Sequence, residues 1–186
     1  MSRMTRPLIL GAGIIGIGGI AACRDAKPIA VTAGPSVADS ADQVLFVAHY
    51  FLSTNGIQRG DLTADTAYVL DDQTRFDLRK AHVKFTTETG APQGTMEAKR
   101  GVYNTRNQIL EGWGDVLVKL VDGRTLKSPH VTYNQITHQI SSDTTYTITR
   151  NSDSQTGIGF TSNQTFTKFT CLRNCGGNFS VLLPEK

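Results

Sequence analysis

The sequence is poor in the residues that enzymes and metal proteins arrange in motifs. Its 186 residues include three cysteines, four histidines and one tryptophan. The histidines show no repeated ligand spacing, which argues against a metal site. G-x-S-x-G, H-E-x-x-H and Walker-type sequences are also absent. No nucleophile and base can be paired, so the sequence favours binding over catalysis and implies no cofactor. A hydrolase remains only as an alternative.

The chain also lacks the excess of positive charge that is typical of nucleic-acid-binding proteins. Its formal net charge is +3, with 19 lysines and arginines against 16 acidic residues. Two of the basic residues, Arg3 and Arg6, lie at the extreme N-terminus, and without them 17 basic residues face 16 acidic ones. We therefore expect no nucleic-acid partner.

Residues 1–23 have the pattern of a secretory signal. A short basic head precedes an uncharged apolar run, Pro7 to Ala22, and small residues lead to Cys23 in the sequence IAAC. This ending resembles a bacterial lipobox, in which the cysteine is acylated and becomes the first mature residue. An uncleaved membrane anchor is the alternative, since the run is near the lower limit of ~17 residues for a spanning helix. Either predicts a domain outside the cytoplasm, anchored to a membrane.

The N-terminal segment also contains a misleading glycine motif. The sequence GAGIIG at Gly11 to Gly16 matches the dinucleotide-binding fingerprint, which has meaning only within a βαβ unit. Small and polar residues with two prolines follow it. We therefore interpret residues 24–42 as a flexible tether rather than as part of a Rossmann fold.

From Gln43 onward the sequence is typical of β-structure. Valine, threonine, tyrosine and phenylalanine are frequent, and no convincing helical pattern follows residue 53. The stretch Glu111 to Pro129 reads as a hairpin turning at Asp122-Gly123. Val116 and Val118 alternate onto one face, yet Leu117 lies on the other, so neither face is built for water. The sequence therefore predicts an all-β domain whose sheet has two apolar faces.

A repeat with a period of 30 to 35 residues runs through this domain. Tyr68, Tyr103 and Tyr133 each follow strand-like residues and precede a polar turn and a further strand. Repeats of this length usually stack so that each covers the apolar face of its neighbour. We expect a long antiparallel stack of strands.

If Cys23 carries lipid, Cys171 and Cys175 are the two cysteines that remain to pair with each other. An oxidising compartment permits a disulfide between them, and a metal-binding pair is the alternative. Fully extended, residues four apart are separated by roughly 13 Å, beyond the ~7 Å limit for a disulfide. A disulfide would therefore require a tight turn at Leu172 to Asn174.

Several motifs, in this order, resemble those of the LptC family, the inner-membrane-anchored periplasmic component of lipopolysaccharide export. The resemblance covers about Gln43 to Phe169, and its specificity comes from the order of the motifs. The segments that carry it are GDLTADTAYVLDD (60–72), HVKFTTETGAPQGTMEAKRGVYN (82–104), ILEGWGDVLVKLVDGRTLKSPHVTYN (109–134), QISSDTTYTI (139–148) and TGIGF (156–160).

The resemblance implies a twisted, open antiparallel β-jellyroll over residues 43–170, with residues 171–186 as a C-terminal extension. Such a protein would receive lipopolysaccharide or a similar glycolipid from the membrane subunits of an ABC transporter. It would pass the acyl chains along an apolar groove to a soluble LptA-like partner docked edge to edge. Two alternatives remain: a soluble-shaft-like relative of the same superfamily, and a structural or interaction lipoprotein with a β-sandwich.

The expected groove and docking residues follow from this comparison. The groove candidates share alternating stretches in predicted strands, and are Val83, Phe85, Val116, Val118, Leu120, Tyr133, Tyr146 and Ile148. The partner-edge candidates are Gly157, Gly159 and Phe160, where glycine permits close backbone approach.

Two features depart from the family pattern. The family usually has a transmembrane anchor, whereas Cys23 here has the context of a lipid attachment site. The tail from Cys171 to Lys186 has no counterpart in the pattern, and is expected to add a strand or a cap.

Overall fold

The computed structural model describes residues 36–54, 56–87 and 89–178, and almost all of them lie in β-strands. The predicted signal, Cys23 and most of the predicted tether fall outside this part of the chain. A 3-10 turn, Val37–Ser40, precedes nine strands. The strands are β1 Gln43–Thr54, β2 Ile57–Leu70, β3 Arg75–Thr86, β4 Pro92–Asn104, β5 Ile109–Leu120, β6 Thr125–Asn134, β7 Gln139–Arg150, β8 Asp153–Asn163 and β9 Thr170–Gly177.

The nine strands form a single antiparallel sheet in chain order, from β1 to β9. Short turns make this meander possible, as the predicted Asp-Gly turn shows. Gly123 has a φ of 84° and its amide donates to the carbonyl of Leu120, which closes the turn between β5 and β6. The all-β prediction is confirmed. The sheet continues into residues 171–177, so the expected C-terminal extension supplies a strand, β9, rather than a cap.

The repeats are visible as matching turns at one end of the sheet. The side-chain Oδ1 of Asn104 accepts hydrogen bonds from the amides of residues 106 and 107, and Asn134 does the same for residues 136 and 137. These Asx turns replace backbone partners where the strands reverse. The first tyrosine is out of phase, because Val69 rather than Tyr68 aligns with Tyr103 across the strands. Tyr68 instead lies beneath the guanidinium of Arg79.

Most strands bend near their middle, which divides the sheet into two walls. The strand pairing shifts register between Glu97 and Arg100, between Trp113 and Val116, and at comparable places in later pairs. Residues with positive φ, such as Lys80 and Gly159, mark the same line. Bulges of this kind bend a strand and increase its twist. The first wall consists of the strand halves next to the β2–β3, β4–β5 and β6–β7 turns and the β8–β9 loop. The second wall consists of the strand halves at the opposite end, next to the β1–β2, β3–β4, β5–β6 and β7–β8 turns.

The two walls fold onto each other, so that residues from distant strands meet inside. The rings of Phe85 in β3 and Tyr133 in β6 are 5.1 Å apart, although these strands are not hydrogen-bonded neighbours. The amide Nε2 of Gln135, at one end of the sheet, donates to the carbonyl of Ser53 at the opposite end, at 2.7 Å. The interior is therefore a core enclosed by one folded sheet, as in a jellyroll.

Candidate functional site in the sheet interior and at its edges

The eight groove candidates all lie on the inner face of the folded sheet. Seven are buried in one apolar cluster and Leu120 packs against that cluster at its margin. Leu117 points to the opposite face and is only half-buried, whereas Val121, in the turn, is exposed. The two-faced pattern of β5 is thus resolved, because Val116, Val118 and Leu120 supply the inner face.

The interior is lined by apolar, aromatic and hydroxyl groups. Tyr103 donates a hydrogen bond to Oε1 of Gln135 at 3.1 Å, and Tyr133 donates to Oε1 of Gln164 at 3.4 Å. Burial raises the pKa of Tyr133 to about 12 and raises that of Tyr103 as well, so both hydroxyls are neutral. Such a surface can hold hydrocarbon without unpaired charge.

Hollows open on both faces of the sheet. One, of about 480 Å³, lies at the bend of β5, β6 and β7, where the outward-facing Leu117, Lys127 and Thr147 line it together with groove candidates Val116 and Tyr146. Pairing between β6 and β7 is interrupted there, from Lys127 to Thr132. A smaller hollow of about 70 Å³ lies near β1 between Tyr50, Tyr103 and neighbouring apolar residues.

Strand β1 forms one free edge of the described sheet and is unusually apolar. Its side chains Phe46 and Val47 are 77% and 87% exposed, and Phe51 is also largely exposed. Its twelve residues contain no Lys, Arg, Asp or Glu. Natural proteins normally protect such edges with charge or proline. The uncharged run QVLFVAHYFL is the sequence signal of this edge, which is not among the predicted docking residues.

The predicted docking edge at Gly157, Gly159 and Phe160 is corrected by the topology. These residues belong to β8, which pairs with β7 on one side and with β9 on the other. Phe160 is fully buried in the core. Gly159 has a φ of 73° and lies against Leu172, so a bulky charged residue there would disturb the fold as well as any docking. Among the strands that the structure describes, β9 forms the second edge of the sheet.

A disulfide joins Cys171 and Cys175 within β9, with their Cα atoms 6.0 Å apart. The approach is achieved by a bulge in the strand rather than by a turn. Pairing with β8 shifts by one residue between Thr156 and Ile158, and Asn174 adopts a φ of 49°. Cys171 packs against the core, and a methyl group at Gly157 would lie 2.7 Å from its sulfur.

The outer face carries a cluster of ion pairs on β3 and β4. The carboxylate of Asp77 is fully buried and accepts hydrogen bonds from Arg79 and from Arg100, the latter at 2.6 Å from Nη2. Burial opposes ionisation of Asp77, but the two guanidinium groups prevail and hold its pKa below the ordinary value. This cluster ties two strands of the first wall together.

Within residues 36–54, 56–87 and 89–178, no three potential ligands are grouped to hold a metal ion. The same residues include no helix long and apolar enough to cross a bilayer.

Comparison with known proteins places this arrangement in a family. The model of the LptC-related lipopolysaccharide-assembly family matches residues 30–179. The chain belongs to this family. The match includes β9 and its disulfide, so the LptC-related region extends beyond residue 170. Members of the LptC/LptA group are periplasmic transport bridges and not enzymes.

A solved structure supports the fold of this LptC-related chain. LptH of Pseudomonas aeruginosa, the LptA-homologous periplasmic component of the lipopolysaccharide transport device, superposes with a TM-score of 0.51 at 9% sequence identity. The superposition covers 65% of this chain and 94% of LptH. A search of curated protein sequences finds no match.

Proposed function

We propose that this LptC-related protein is a membrane-anchored carrier that receives lipopolysaccharide from an ABC transporter and passes it to a similar β-jellyroll partner. Its continuous apolar interior, running between two free sheet edges, is the observation that supports this function. Burial of acyl chains contributes roughly 0.8 kcal/mol per CH₂, so such an interior can hold lipid without a catalytic group.

The interior is filled by side chains, so lipid must separate the two walls to enter. The hollow at the bend of β5 to β7 is the proposed starting point, because pairing between β6 and β7 is already interrupted there. An acyl chain would replace contacts such as that between Phe85 and Tyr133.

The free edges give the proposed partners separate docking sites. An exposed edge can bind a strand of another protein through main-chain hydrogen bonds. Only 19 residues separate Cys23 from β1, so this edge stays within reach of an anchored N-terminus and suits the transporter. The β9 edge would then serve the soluble partner.

Photo-crosslinking in cells tests the carrier proposal. A photoreactive residue at Val118, on the inner face, should capture lipopolysaccharide, whereas the same residue at Lys119 should not. Lys119 is the matched control because it is the next residue of β5 and its ammonium pairs with Glu97 on the outer face. Equal capture at both positions, or capture at neither, would contradict a lipid path along the inner face.

The anchor is proposed from Cys23 and is tested separately. Labelled fatty acid should enter the wild-type protein, and Cys23→Ala should remove the label and leave an unprocessed precursor. Normal processing of the variant at the same site would exclude the lipoprotein. A wild-type protein that is neither labelled nor cleaved would favour the uncleaved spanning anchor.

A structural or interaction lipoprotein is the second candidate function. The tightly filled interior favours it, since seven of the eight groove candidates are buried against other side chains. Under this alternative the edges would still bind partners, but position 118 would capture no lipid. The crosslinking experiment therefore separates the two functions.

A further inference from the structure

The loop between β8 and β9, residues 164–169, inserts aromatic side chains into the interior; we name it the plug loop. Phe166 is fully buried, and its ring centroid lies 6.2 Å from that of Phe169. Phe169 in turn stacks on Phe160 at 5.2 Å and meets the edge of Tyr146 at 5.3 Å. The plug loop thus fills the interior next to the β9 edge.

A buried arginine from the opposite wall holds the plug loop in place. Arg124, just after the β5–β6 turn, is only 4% exposed. Its Nη1 donates to the carbonyl of Phe166 at 2.6 Å, and its Nη2 to the carbonyl of Thr165 at 3.1 Å. Asp122 accepts from its Nε at 2.6 Å, which neutralises the guanidinium. A charged group that binds backbone across two walls is unusual for a structural core and acts as a latch.

The plug loop is folded as a unit of its own. The side-chain Oδ1 of Asn163 accepts from the amides of Thr167 and Lys168 at 2.9 and 3.0 Å, and its Nδ2 donates to two threonine hydroxyls of the loop. These bonds join the loop to the last residue of β8 and do not involve the opposite wall. Its attachment to the opposite wall rests on Arg124 and on ring packing.

The closed arrangement leaves polar atoms without partners. Among the described residues, the buried Oγ of Ser162, Nε2 of Gln164 and hydroxyl of Tyr146 make no hydrogen bond. Phe166 also has a φ of 54°, a left-handed conformation that is strained for a bulky residue. Buried polar atoms without partners cost free energy in this packed arrangement. Hydroxyl, ester or amide groups of an acylated lipid have the chemistry to satisfy such atoms.

We infer that the plug loop is a gate at the β9 end of the interior, that Arg124 latches it shut, and that an acyl chain displaces Phe166 on its way to the partner. This inference rests on the proposed carrier function. The gate is placed where β9 offers the proposed docking edge, so docking and opening occur at one end of the molecule.

Hydrogen exchange and dye uptake test the gate in the purified protein without lipopolysaccharide. In Arg124→Gln, amide exchange in residues 164–169 should accelerate at least tenfold while β3 to β5 keep wild-type rates. Uptake of the apolar fluorophore N-phenyl-1-naphthylamine should rise severalfold. Arg124→Lys retains the charge but cannot make the paired hydrogen bonds. Its amide exchange and dye uptake should lie between those of the wild type and those of Arg124→Gln.

Arg75→Gln is the matched control, because Arg75 also faces a turn carboxylate, Asp71, but is only part-buried and hydrogen-bonds to no second loop. It should leave both readouts unchanged. Exchange that rises equally over all strands would show that Arg124 stabilises the whole fold, and unchanged exchange and uptake would show no latch; either result overturns the inference.

The second gate variant is Phe166→Ala, which removes the plug and keeps the latch. Dye uptake should rise again, with little change in the exchange of β3 to β5; unchanged uptake would count against the gate. Failure of the carrier function is read separately, from lipopolysaccharide capture at position 118 in the wild type. If capture fails while the latch variants open the loop, the gate stands and the cargo is another apolar molecule.

Discussion

The two free edges of the sheet differ in almost every physical property. Strand β1 has twelve residues without Lys, Arg, Asp or Glu, and it exposes Phe46, Val47 and Phe51. Strand β9 has eight residues, is bulged, carries a disulfide and ends in two glycines. A long apolar edge favours a permanent partner, whereas a short constrained edge suits a partner that binds and leaves.

This difference shows how one sheet can avoid assembling with itself. Pairing of β1 with β9 of a second copy would be head-to-tail and would continue into an open filament. The bulge between Cys171 and Cys175 interrupts the regular hydrogen-bonding edge that such pairing needs. The following substitutions test how each edge is built, beginning with the largest expected effect.

Gly157→Ala should be the most damaging change at the β9 end. Its Cβ would lie 2.7 Å from the sulfur of Cys171 and 2.8 Å from the ring of Tyr146, so we expect a loss of about 2–3 kcal/mol in unfolding free energy. Gly176→Ala is the control, since the nearest atom to its Cβ would be 4.0 Å away. Chemical denaturation measures both; equal losses would refute tight packing between β8 and β9.

Removal of the disulfide should have a somewhat smaller and more local effect. Replacing Cys171 and Cys175 by serine frees a five-residue loop, for which the chain-entropy model gives about 2 kcal/mol. Amide exchange should accelerate in β9 and remain slow in β1. Without the disulfide, the bulge in β9 should relax and the strand should become a regular pairing edge, so light scattering should detect oligomers. A strictly monomeric variant would show that the bulge does not depend on the disulfide.

Much of the fold was predictable because its signals are local. The alternation of apolar residues in β5 predicted which of its side chains lie on the inner face, and the Asp122-Gly123 turn predicted its antiparallel pairing with β6. The sequence allowed either a strand or a cap after residue 170, and TCLRNCGG has no alternation that would identify it as the edge strand, so the docking edge was predicted in β8 instead. The role of Arg124 could not be predicted from the sequence. Arg124 follows a polar turn, as an exposed residue would, and the loop that covers it lies 41 residues later in the chain.

Asp77→Asn tests the ion pairs that Asp77 of β3 makes with Arg79 and Arg100, near the β1 edge of the sheet. Because the folded-state pKa of Asp77 lies below its ordinary value, these pairs stabilise the fold above the unfolded-state pKa of about 3.9. The stabilisation is lost as pH falls through the folded-state pKa. We expect Asp77→Asn to cost about 1 kcal/mol at pH 7, because the arginines are partly exposed. The difference from wild type should shrink toward pH 3, as measured by melting across pH; a difference independent of pH would exclude the charge as its source.

Replacing Phe46 and Val47 of β1 by lysine should have the smallest effect on stability. Both side chains are largely exposed, so we expect the unfolding free energy to change by less than about 0.5 kcal/mol. Binding at this edge should nevertheless be lost, because two charges would have to be desolvated against the partner strand. The matched control is Leu172→Lys with Arg173→Glu on β9, which should spare the β1 partner. Pull-down of the transporter subunits measures the outcome. Retained capture by the β1 variant, with loss in the β9 variant, would reverse the assignment of the two edges while keeping their difference.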